Sequence, residues 1–141
     1  MKKILFFLLL LTARYSFAVT FDIEGIRYEI ISQTDHTVSV AIIPMSITHP
    51  TYSTYTGDFV IPAQVEFNGI TFDVIGIGED AFSECRSLGT VTLPNSIKFI
   101  DFCAFAYSNI EALTLPEGLE SIGNVWSRMR KIRKEMYQSG E

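Results

Sequence analysis

The sequence lacks the motifs that mark common catalytic, zinc and nucleotide sites. It has no G-x-S-x-G, no H-E-x-x-H, no glycine-rich phosphate loop and no close pair of cysteines that would bind zinc. His36 falls in a predicted turn and His49 in a proline-bearing loop, where solvated surface positions are expected. Glu79 and Asp80 are adjacent, but neighbouring side chains on a strand point to opposite faces, so a shared metal or acid–base site would need a turn there. The sequence therefore predicts no enzyme, no metal site and no cofactor.

Basic residues are scarce across residues 19–125. This stretch holds 14 Asp or Glu against Arg27, Arg86 and Lys98, a net charge of −11. Nucleic acid requires a basic face for its phosphates, and anionic lipid attracts positive charge, so neither is an expected partner. The balance reverses at the carboxyl end, where residues 126–141 hold five basic and two acidic residues. The mature protein is therefore expected to have an acidic body and a short basic end.

Long hydrophobic runs are missing except at the amino terminus. Two lysines precede the apolar residues 4–11, and Ser16-Phe17-Ala18 has the small-x-small pattern of a signal cleavage site. The run is about half of the roughly 20 residues that a spanning helix needs, which makes a membrane anchor the weaker interpretation. The cysteine that follows the signal of a lipoprotein is also missing. Residues 1–18 are predicted to be a signal peptide, cleaved after Ala18, which predicts a secreted, periplasmic or cell-surface protein without stable membrane insertion.

The feature that is present most clearly is an internal repeat. Residues 77–97 read IGEDAFSECRSLGTVTLPNSI and residues 100–119 read IDFCAFAYSNIEALTLPEGL, followed by the start of a third copy up to Gly123. A period of about 20 to 50 residues is typical of solenoids, in which each coil covers the apolar face of its neighbour. Residues 77–123 are therefore predicted to stack two full repeats and one partial repeat. The expected repeat core is Ile77, Phe82, Leu88, Val91, Leu93, Ile97, Ile100, Phe105, Ile110, Leu113, Leu115, Leu119 and Ile122.

The two cysteines occupy different columns of this repeat. Cys85 follows its Ala-Phe pair by three residues, whereas Cys103 immediately precedes the next pair. Different columns usually place side chains on different faces, and a disulfide needs Cα atoms within about 7 Å of each other. Two separate, mostly buried thiols are expected, and a Cys85–Cys103 bridge is the weaker alternative.

Residues 19–76 are predicted to form a β-hairpin cap that includes a degenerate first repeat. Apolar and polar residues alternate from Phe21 to Ile42, which is typical of an antiparallel meander with one buried face. Asn68-Gly69 lies between two alternating segments and is the strongest hairpin signal, because a tight turn requires positive φ angles. Residues 59–62 resemble the Val-Thr-Leu-Pro of the repeats, and residues 44–57 are predicted to be a loop.

The repeat pattern breaks after Gly123. Trp126-Ser127 stands where Ala-Phe is expected, and apolar residues then recur with helical spacing to Met136. Residues 124–141 are predicted to form a basic amphipathic helix that closes the open end of the acidic stack. The alternative is a truncated or shifted reading frame, in which case the chain is a fragment of a longer repeat protein.

The pattern I-G-x-x-A-F-x-x-C-x-x-L-x-x-V-x-L-P-x-x-I resembles the BspA-like leucine-rich repeats of bacterial surface proteins. Residues 77–97 match it well and residues 100–119 less well, and the upstream segments YTGDFVIP and Asn68-Gly69 look like the leader region of such proteins from Bacteroides-type bacteria. The resemblance implies a mainly β, right-handed solenoid, export to the periplasm or cell surface, and in some members adhesion to host or microbial proteins. Two departures are that Ser108 replaces the cysteine of the second repeat and that the array is short.

Aromatic residues outside the core period mark a candidate interaction surface. Phe99 and Phe102 align with Gly76 and Glu79 of the preceding copy, so they have no aromatic counterpart there. The leading interpretation is an exported interaction or adhesion module with a protein partner, and an enzyme with a pocket between the 44–57 loop and the stack is a weaker one. The candidate contacts are Phe99, Phe102, Tyr107, Tyr52 and Tyr55.

Overall fold

A computed structural model describes residues 18–41 and 55–123, and the architecture of these residues is mainly β, as predicted. They contain no helix, and hence no helix able to span a membrane. Residues 1–17 of the predicted signal peptide, the loop around His49 and Tyr52, and the predicted helical tail 124–141 lie outside the described residues. The strands are β1 Thr20–Ile23, β2 Ile26–Ser32, β3 Thr37–Val40, β4 Gly57–Val60, β5 Gln64–Phe67, β6 Ile70–Ile77, β7 Leu88–Thr92, β8 Phe99–Ile100, β9 Ala112–Thr114 and β10 Ser121–Ile122.

Tight turns join the strands of the amino-terminal part. Glu24 and Gly25 connect β1 to β2 with φ angles of 50° and 80°, and Asn68 and Gly69 connect β5 to β6 with 52° and 76°. Two successive positive φ angles are the signature of the type I′ turn, whose twist matches that of a hairpin. β1–β2, β2–β3 and β5–β6 are all antiparallel. The hairpin turn predicted at Asn68-Gly69 is therefore confirmed.

The meander joins the repeats through a parallel pair of strands. β3 pairs with β6 in parallel, with Val38 opposite Val74 and Val40 opposite Ile77. The carboxyl half of β6 then pairs with β8, and β8 pairs with β10, again in parallel. The resulting sheet has the order β1-β2-β3-β6-β8-β10, with β5 beside the first half of β6. The meander thus covers one edge of the first repeat.

A second sheet contains the Val-Thr-Leu-Pro column of the repeats. β4, β7 and β9 lie in that order and are parallel. Phe59 is opposite Val91, which is opposite Leu113 on its other side. Residues 59–62 therefore occupy the place of a repeat strand, as their resemblance to the later copies predicted.

The Ala-Phe turns form a third line of contacts between successive copies. The backbone N–H of Phe82 donates to the carbonyl of Ala104 (2.7 Å), and the N–H of Glu84 donates to the carbonyl of Ala106 (2.7 Å). Equivalent positions of consecutive copies are thus hydrogen-bonded in the turns as well as in both sheets. Such pairing satisfies backbone groups that would otherwise be buried without partners.

Stacked phenylalanines run through the centre of the core. The rings of Phe82 and Phe105 are 5.2 Å apart between centroids and almost parallel, at 4°. Both side chains are fully buried, and Phe59 and Tyr55 extend the column beyond Phe82. The two copies of the Ala-Phe pair therefore lie in register, one above the other, as the repeat period predicted.

The rest of the expected repeat core is buried, except for three residues at the carboxyl end of the second repeat and in the partial third repeat. Leu115 and Leu119 are partly buried against the core, and Ile122 is 36% exposed. Ile122 was expected in the core because it continues the column of Ile77 and Ile100, and this expectation is wrong. Among the described residues its strand, β10, pairs only with β8, so no further strand covers Ile122 on its other side. The buried members are Ile77, Phe82, Leu88, Val91, Leu93, Ile97, Ile100, Phe105, Ile110 and Leu113.

Candidate interaction surface

Two of the predicted contact residues are exposed aromatics on the turn between β8 and β9. Phe102 is 53% exposed and Tyr107 is 51% exposed, although both flank the buried Ala104 and Phe105. The buried pair and its hydrogen bonds to the preceding copy fix the backbone of this turn. An aromatic side chain on a fixed backbone offers apolar contact area at low entropic cost. Phe102 and Tyr107 therefore present a large part of their side chains at the surface of this turn.

The same two positions of each turn have left-handed backbone conformations. Asp80 and Glu84 have φ angles of 54° and 57° in the first copy, and Cys103 and Tyr107 have 55° and 56° in the second. Residues other than glycine adopt this region infrequently, and asparagine and aspartate are the more tolerant ones. The hydrogen bonds within the turns recur as well, because the N–H of Ser83 donates to the carbonyl of Asp80 and the N–H of Ala106 donates to that of Cys103. The conformation therefore belongs to the repeat and not to one irregular loop.

Acidic residues lie next to the exposed aromatics in the sequence and in the neighbouring turn. The N–H of Asp80 donates to the carbonyl of Phe102 (3.2 Å), which places the Asp80 residue beside the aromatic turn. The pKa of the Cys103 thiol is raised, first by partial burial and then by the negative charges of Asp80 and Glu79. We use the name turn face for the exposed side of these two turns, defined by Glu79, Asp80, Glu84, Asp101, Phe102 and Tyr107.

The excess of negative charge remains after ion pairing. The three basic residues of the described part each lie beside one carboxylate. Lys98 is 3.2 Å from Glu120, and Arg86 is 3.7 Å from Glu84. Only the pair of Arg27 and Asp22, at 2.7 Å, has two hydrogen bonds in a forked geometry, and it lies in the β1–β2 hairpin. Most carboxylates of the described residues therefore have no basic side chain beside them.

Phe99 contributes less to the exposed surface than Phe102 does. It is partly buried in β8, opposite Gly76 of β6 in the register that the alignment of the two copies predicted. A Cβ atom built on Gly76 would overlap the Phe99 ring. The distal end of the Phe99 ring therefore lies over the glycine of the neighbouring strand, and only part of the side chain is exposed.

Tyr55 was expected to be a contact residue, and the structure corrects this expectation. Its side chain is 1% exposed, with the ring 4.9 Å from that of Phe82. The hydroxyl group accepts a hydrogen bond from the N–H of Arg27 (3.0 Å) and donates one to the carbonyl of Ala41 (3.2 Å). Burial raises the pKa of Tyr55 to about 12. Because its polar atom finds buried partners, this tyrosine is part of the core.

An exposed row on the β4–β7–β9 sheet was missed from the sequence. Val60 is 72% exposed and lies opposite Thr92, which lies opposite Thr114. Beside this row, the Asp58 carboxylate accepts a hydrogen bond from the N–H of Thr90 (2.7 Å). The alternation within Val-Thr-Leu-Pro could have predicted this row, because a threonine between two inward-facing residues of a strand points outward.

Neither a metal centre nor a disulfide occurs in the described part of the chain. Within 18–41 and 55–123, His, Cys, Asp and Glu side chains form no group of three that could hold a metal ion. Cys85 is fully buried and Cys103 is partly exposed, and neither forms a disulfide. The expectation of two separate thiols is confirmed.

The comparison with protein families identifies the repeat. The family described as BspA type Leucine rich repeat region (6 copies) matches residues 61–135, more than half of the chain. The chain belongs to this family. The matched range of this BspA-type protein includes β5 to β10 and continues past Gly123 into residues that the structure does not describe. No curated protein matches the chain.

Similar solved structures also come from leucine-rich repeat proteins. A protein from Bacteroides capillosus has 22% identity and a TM-score of 0.47, over 75% of this chain and 93% of that one. One from Bacteroides ovatus has 21% identity and a TM-score of 0.35, over 73% and 37%. A leucine-rich cell surface protein from Faecalibacterium prausnitzii has 14% identity and a TM-score of 0.30, over 81% and 54%.

Proposed function

We propose that this BspA-type protein is exported and binds another protein at the bacterial cell surface without catalysing a reaction, as an interaction or adhesion module. The observation that carries the proposal is the exposure of Phe102 and Tyr107 on a turn whose backbone is fixed by the buried Phe105 beneath it. Exposed aromatics on a rigid support are typical centres of protein interfaces. The negative charge around them favours a partner with a basic surface.

The expected partner is a protein of the host or of another microbe, contacted through the turn face. Phe99 adds the exposed part of its side chain to this contact area, and Tyr52 remains a predicted contact residue. We also propose that the stacked copies wind as a right-handed solenoid, and the parallel pairing of the repeat strands in both sheets, at a spacing of about 22 residues, supports this.

Binding is tested with the chain from Val19 to Glu141 and fractionated host-matrix and bacterial-surface proteins. We expect saturable binding to at least one fraction, weakened about 5- to 30-fold by Phe102→Ser or Tyr107→Ser, because central aromatics contribute about 1 to 2 kcal/mol each. Val60→Ser is the matched control, since it removes an exposed apolar side chain from the β4–β7–β9 sheet. Absence of saturable binding, or equal loss in all three variants, would reject the proposal.

Export is tested by expressing the full chain in a bacterial host. We expect the protein outside the cytoplasm with Val19 as its first residue, because Ser16-Phe17-Ala18 fits the cleavage pattern. Protease treatment of intact cells then separates a cell-surface location from a periplasmic one. Cytoplasmic protein that retains Met1 would contradict the proposal.

A further inference from the structure

The carboxylate-bearing residues of the turn face are divided between its two ends. Glu79, Asp80 and Asp101 lie just after β6 and β8, whereas Glu84 lies on the side that leads to β7. Arg86 is 3.7 Å from Glu84, and the other two basic residues of the described part pair with carboxylates outside the turn face. These ion pairs therefore offset the charge at one end of the turn face and leave it in place at the other.

The end beside β6 and β8 also carries the exposed side chain of Phe102. Glu79 and Phe102 each precede by three residues the buried phenylalanine of their own turn, and those two phenylalanine rings are stacked. The N–H of Asp80 donates to the carbonyl of Phe102 (3.2 Å), so the two turns adjoin at this point. Equivalent positions of paired backbones are about 4.8 Å apart. We use the name acidic end for Glu79, Asp80, Asp101 and Phe102, of which all but Asp80 are exposed.

An aromatic ring close to carboxylates suits a cationic side chain with an apolar stem. The face of the ring attracts a cation, and arginine is found there more often than lysine. The methylene groups of either side chain pack on apolar surface while the charged group stays in the solvent near the carboxylates. A planar guanidinium group also binds a carboxylate through two parallel hydrogen bonds, whereas the ammonium group of lysine acts as a point charge. Arginine is therefore the side chain that best matches the acidic end.

The opposite end of the turn face has a different chemistry. Tyr107 and Glu84 each follow by two residues the buried phenylalanine of their own turn, and the N–H of Glu84 donates to the carbonyl of Ala106 (2.7 Å). Because Arg86 offsets the charge of Glu84, a further cation gains less at this end. The half-exposed ring of Tyr107 offers apolar contact area there. A partner is thus expected to place its cation at Phe102 and an apolar side chain at Tyr107.

A second copy of the protein is a poorer occupant of this face. Residues 19–125 of each copy carry a net charge of −11, so two acidic ends repel each other. Each basic residue of the described part also lies beside a carboxylate of its own chain. The described body therefore lacks a cation that is not already beside a carboxylate, and a partner of different sequence fits the acidic end better.

We infer that the acidic end binds an arginine side chain from a segment of the partner protein, while an apolar residue of the same segment contacts Tyr107. The presence of a partner protein rests on the proposed function, whereas the affinity for an arginine side chain does not. A lysine in the same place binds more weakly, and a glutamate is repelled. Because the two ends of the turn face differ, the arginine also fixes the direction in which the segment lies.

Residue-specific NMR shifts of the chain from Val19 to Glu141 test this assignment. The probe is a five-residue peptide, blocked at both ends, with a central arginine between two leucines. Matched control peptides carry citrulline, lysine or glutamate in place of the arginine, and citrulline keeps the shape of arginine without its charge. We expect the backbone amide signals of Glu79, Asp80 and Phe102 to shift saturably with the arginine peptide. The dissociation constant should be about 1.4- to 5-fold higher for the citrulline peptide, the range for loss of one exposed ion pair.

Variants of the turn face locate the bound arginine. Glu79→Gln and Asp101→Asn should each weaken binding of the arginine peptide by about 1.4- to 5-fold. Phe102→Leu should weaken it by about 2- to 5-fold, because leucine keeps apolar area but removes the face of the ring. Glu84→Gln is the matched control, since it removes the same charge from the same face at the end where Arg86 lies. At about 0.15 M salt, where exposed charges more than about 8 Å apart are largely screened, this control should leave the affinity unchanged.

Several results would overturn the inference. Equal shifts with the arginine and citrulline peptides would indicate apolar contact alone. Equal weakening by Glu79→Gln and Glu84→Gln would indicate a general attraction to an acidic protein. The same shifts on raising the protein concentration without peptide would assign the face to a second copy. A complete lack of saturable shifts at millimolar arginine peptide would reject the arginine site directly.

Partner binding distinguishes this inference from the proposed function. Binding of a protein fraction that depends on Tyr107 but not on Glu79, without saturable shifts from the arginine peptide, would reject the arginine site alone. Saturable and Glu79-dependent binding of the arginine peptide, in a chain that binds no protein fraction, would reject the proposed function and leave the arginine site standing. When both hold, Glu79→Gln should weaken the protein partner by the same factor as the peptide.

Discussion

Phe82 and Phe105 provide the sharpest test of the stacked arrangement. Both side chains are 0% exposed, and their rings are stacked at 5.2 Å. We expect Phe82→Leu and Phe105→Leu each to lower the free energy of unfolding. The loss combines repacking of about 1 to 1.5 kcal/mol with the aromatic pair interaction of about 0.5 to 1.5 kcal/mol. Leucine is chosen because alanine would cost about 3 to 5 kcal/mol, a large part of the total stability of a small domain.

The double variant isolates the contact between the two copies. The ring pair is already lost in each single variant, so the double variant should lose less than the sum of the singles. The expected difference is the pair interaction itself, about 0.5 to 1.5 kcal/mol. Urea unfolding followed by circular dichroism measures each free energy, provided that the slope against denaturant is unchanged.

Phe102→Leu is the matched control for this cycle. It changes the same residue type in the same turn, but the Phe102 side chain is 53% exposed. Its expected cost is within about 0.5 kcal/mol, as for surface substitutions in general. Additivity of Phe82→Leu and Phe105→Leu within about 0.3 kcal/mol, or a cost of Phe105→Leu no greater than that of Phe102→Leu, would refute the stacking of the copies.

Three further measurements address the corrected and newly described contacts. Tyr55→Phe should destabilise the protein by about 1 to 3 kcal/mol because two buried backbone groups lose their partner. The free energy of unfolding of the wild type should also fall as pH rises from about 10 towards about 12, because the tyrosine loses its proton at lower pH in the unfolded chain than in the folded one. Tyr55→Phe should reduce this fall. The same dependence of unfolding free energy on pH in both proteins would contradict the prediction. Gly76→Ala should cost about 1 to 3 kcal/mol by displacing the Phe99 ring, and an unchanged urea midpoint would show that the ring lies elsewhere. A thiol reagent should modify Cys103 but not Cys85 before unfolding and both afterwards, whereas no reaction in unfolded protein would indicate a disulfide.

The repeat register was predictable from the sequence because each column has one chemical requirement. Aligning the two copies placed Phe99 opposite Gly76 and Phe82 over Phe105, and both relationships hold in the structure. One position of the repeat needs a small residue because two strands approach closely there, and another needs a large residue to fill the centre of the coil. The identity and spacing of these residues therefore specify the register. Two copies within one chain supply the comparison that a single segment cannot.

Tyr55 and Ile122 show where that reasoning stops. Tyr55 follows a stretch rich in serine and threonine, and its burial depends on Arg27 and Ala41, whose backbone groups satisfy the hydroxyl. Those partners are 28 and 14 positions away, so no local pattern announces them. Ile122 aligns with the buried Ile77 and Ile100 of the earlier copies. This alignment predicts the direction in which the side chain points, but it does not predict whether a neighbouring strand covers it.

The parallel pair of β3 and β6 could not be predicted from periodicity either. Alternation within each strand gives its buried face, whereas the choice of a neighbour depends on contacts between residues 36 positions apart, such as Val38 and Val74. The exposed row at Val60, Thr92 and Thr114 was hidden for a related reason. Each member is an ordinary outward-facing residue, and the row exists only once three strands lie side by side.

The edge strands at the two ends of the described stack differ in how their backbone groups are protected from pairing with another chain. At the amino-terminal end β3 supplies a complete strand to β6, so the ladder of the first copy is paired on both sides. A repeat cannot bury its apolar face alone, and this pairing allows so short an array to begin. At the other end β10 has only two residues, and the carboxylates of the body oppose pairing with another copy of itself. Because the negative charge of the body disfavours pairing with a second acidic copy, a strand from another molecule that pairs with β10 would have to carry positive charge.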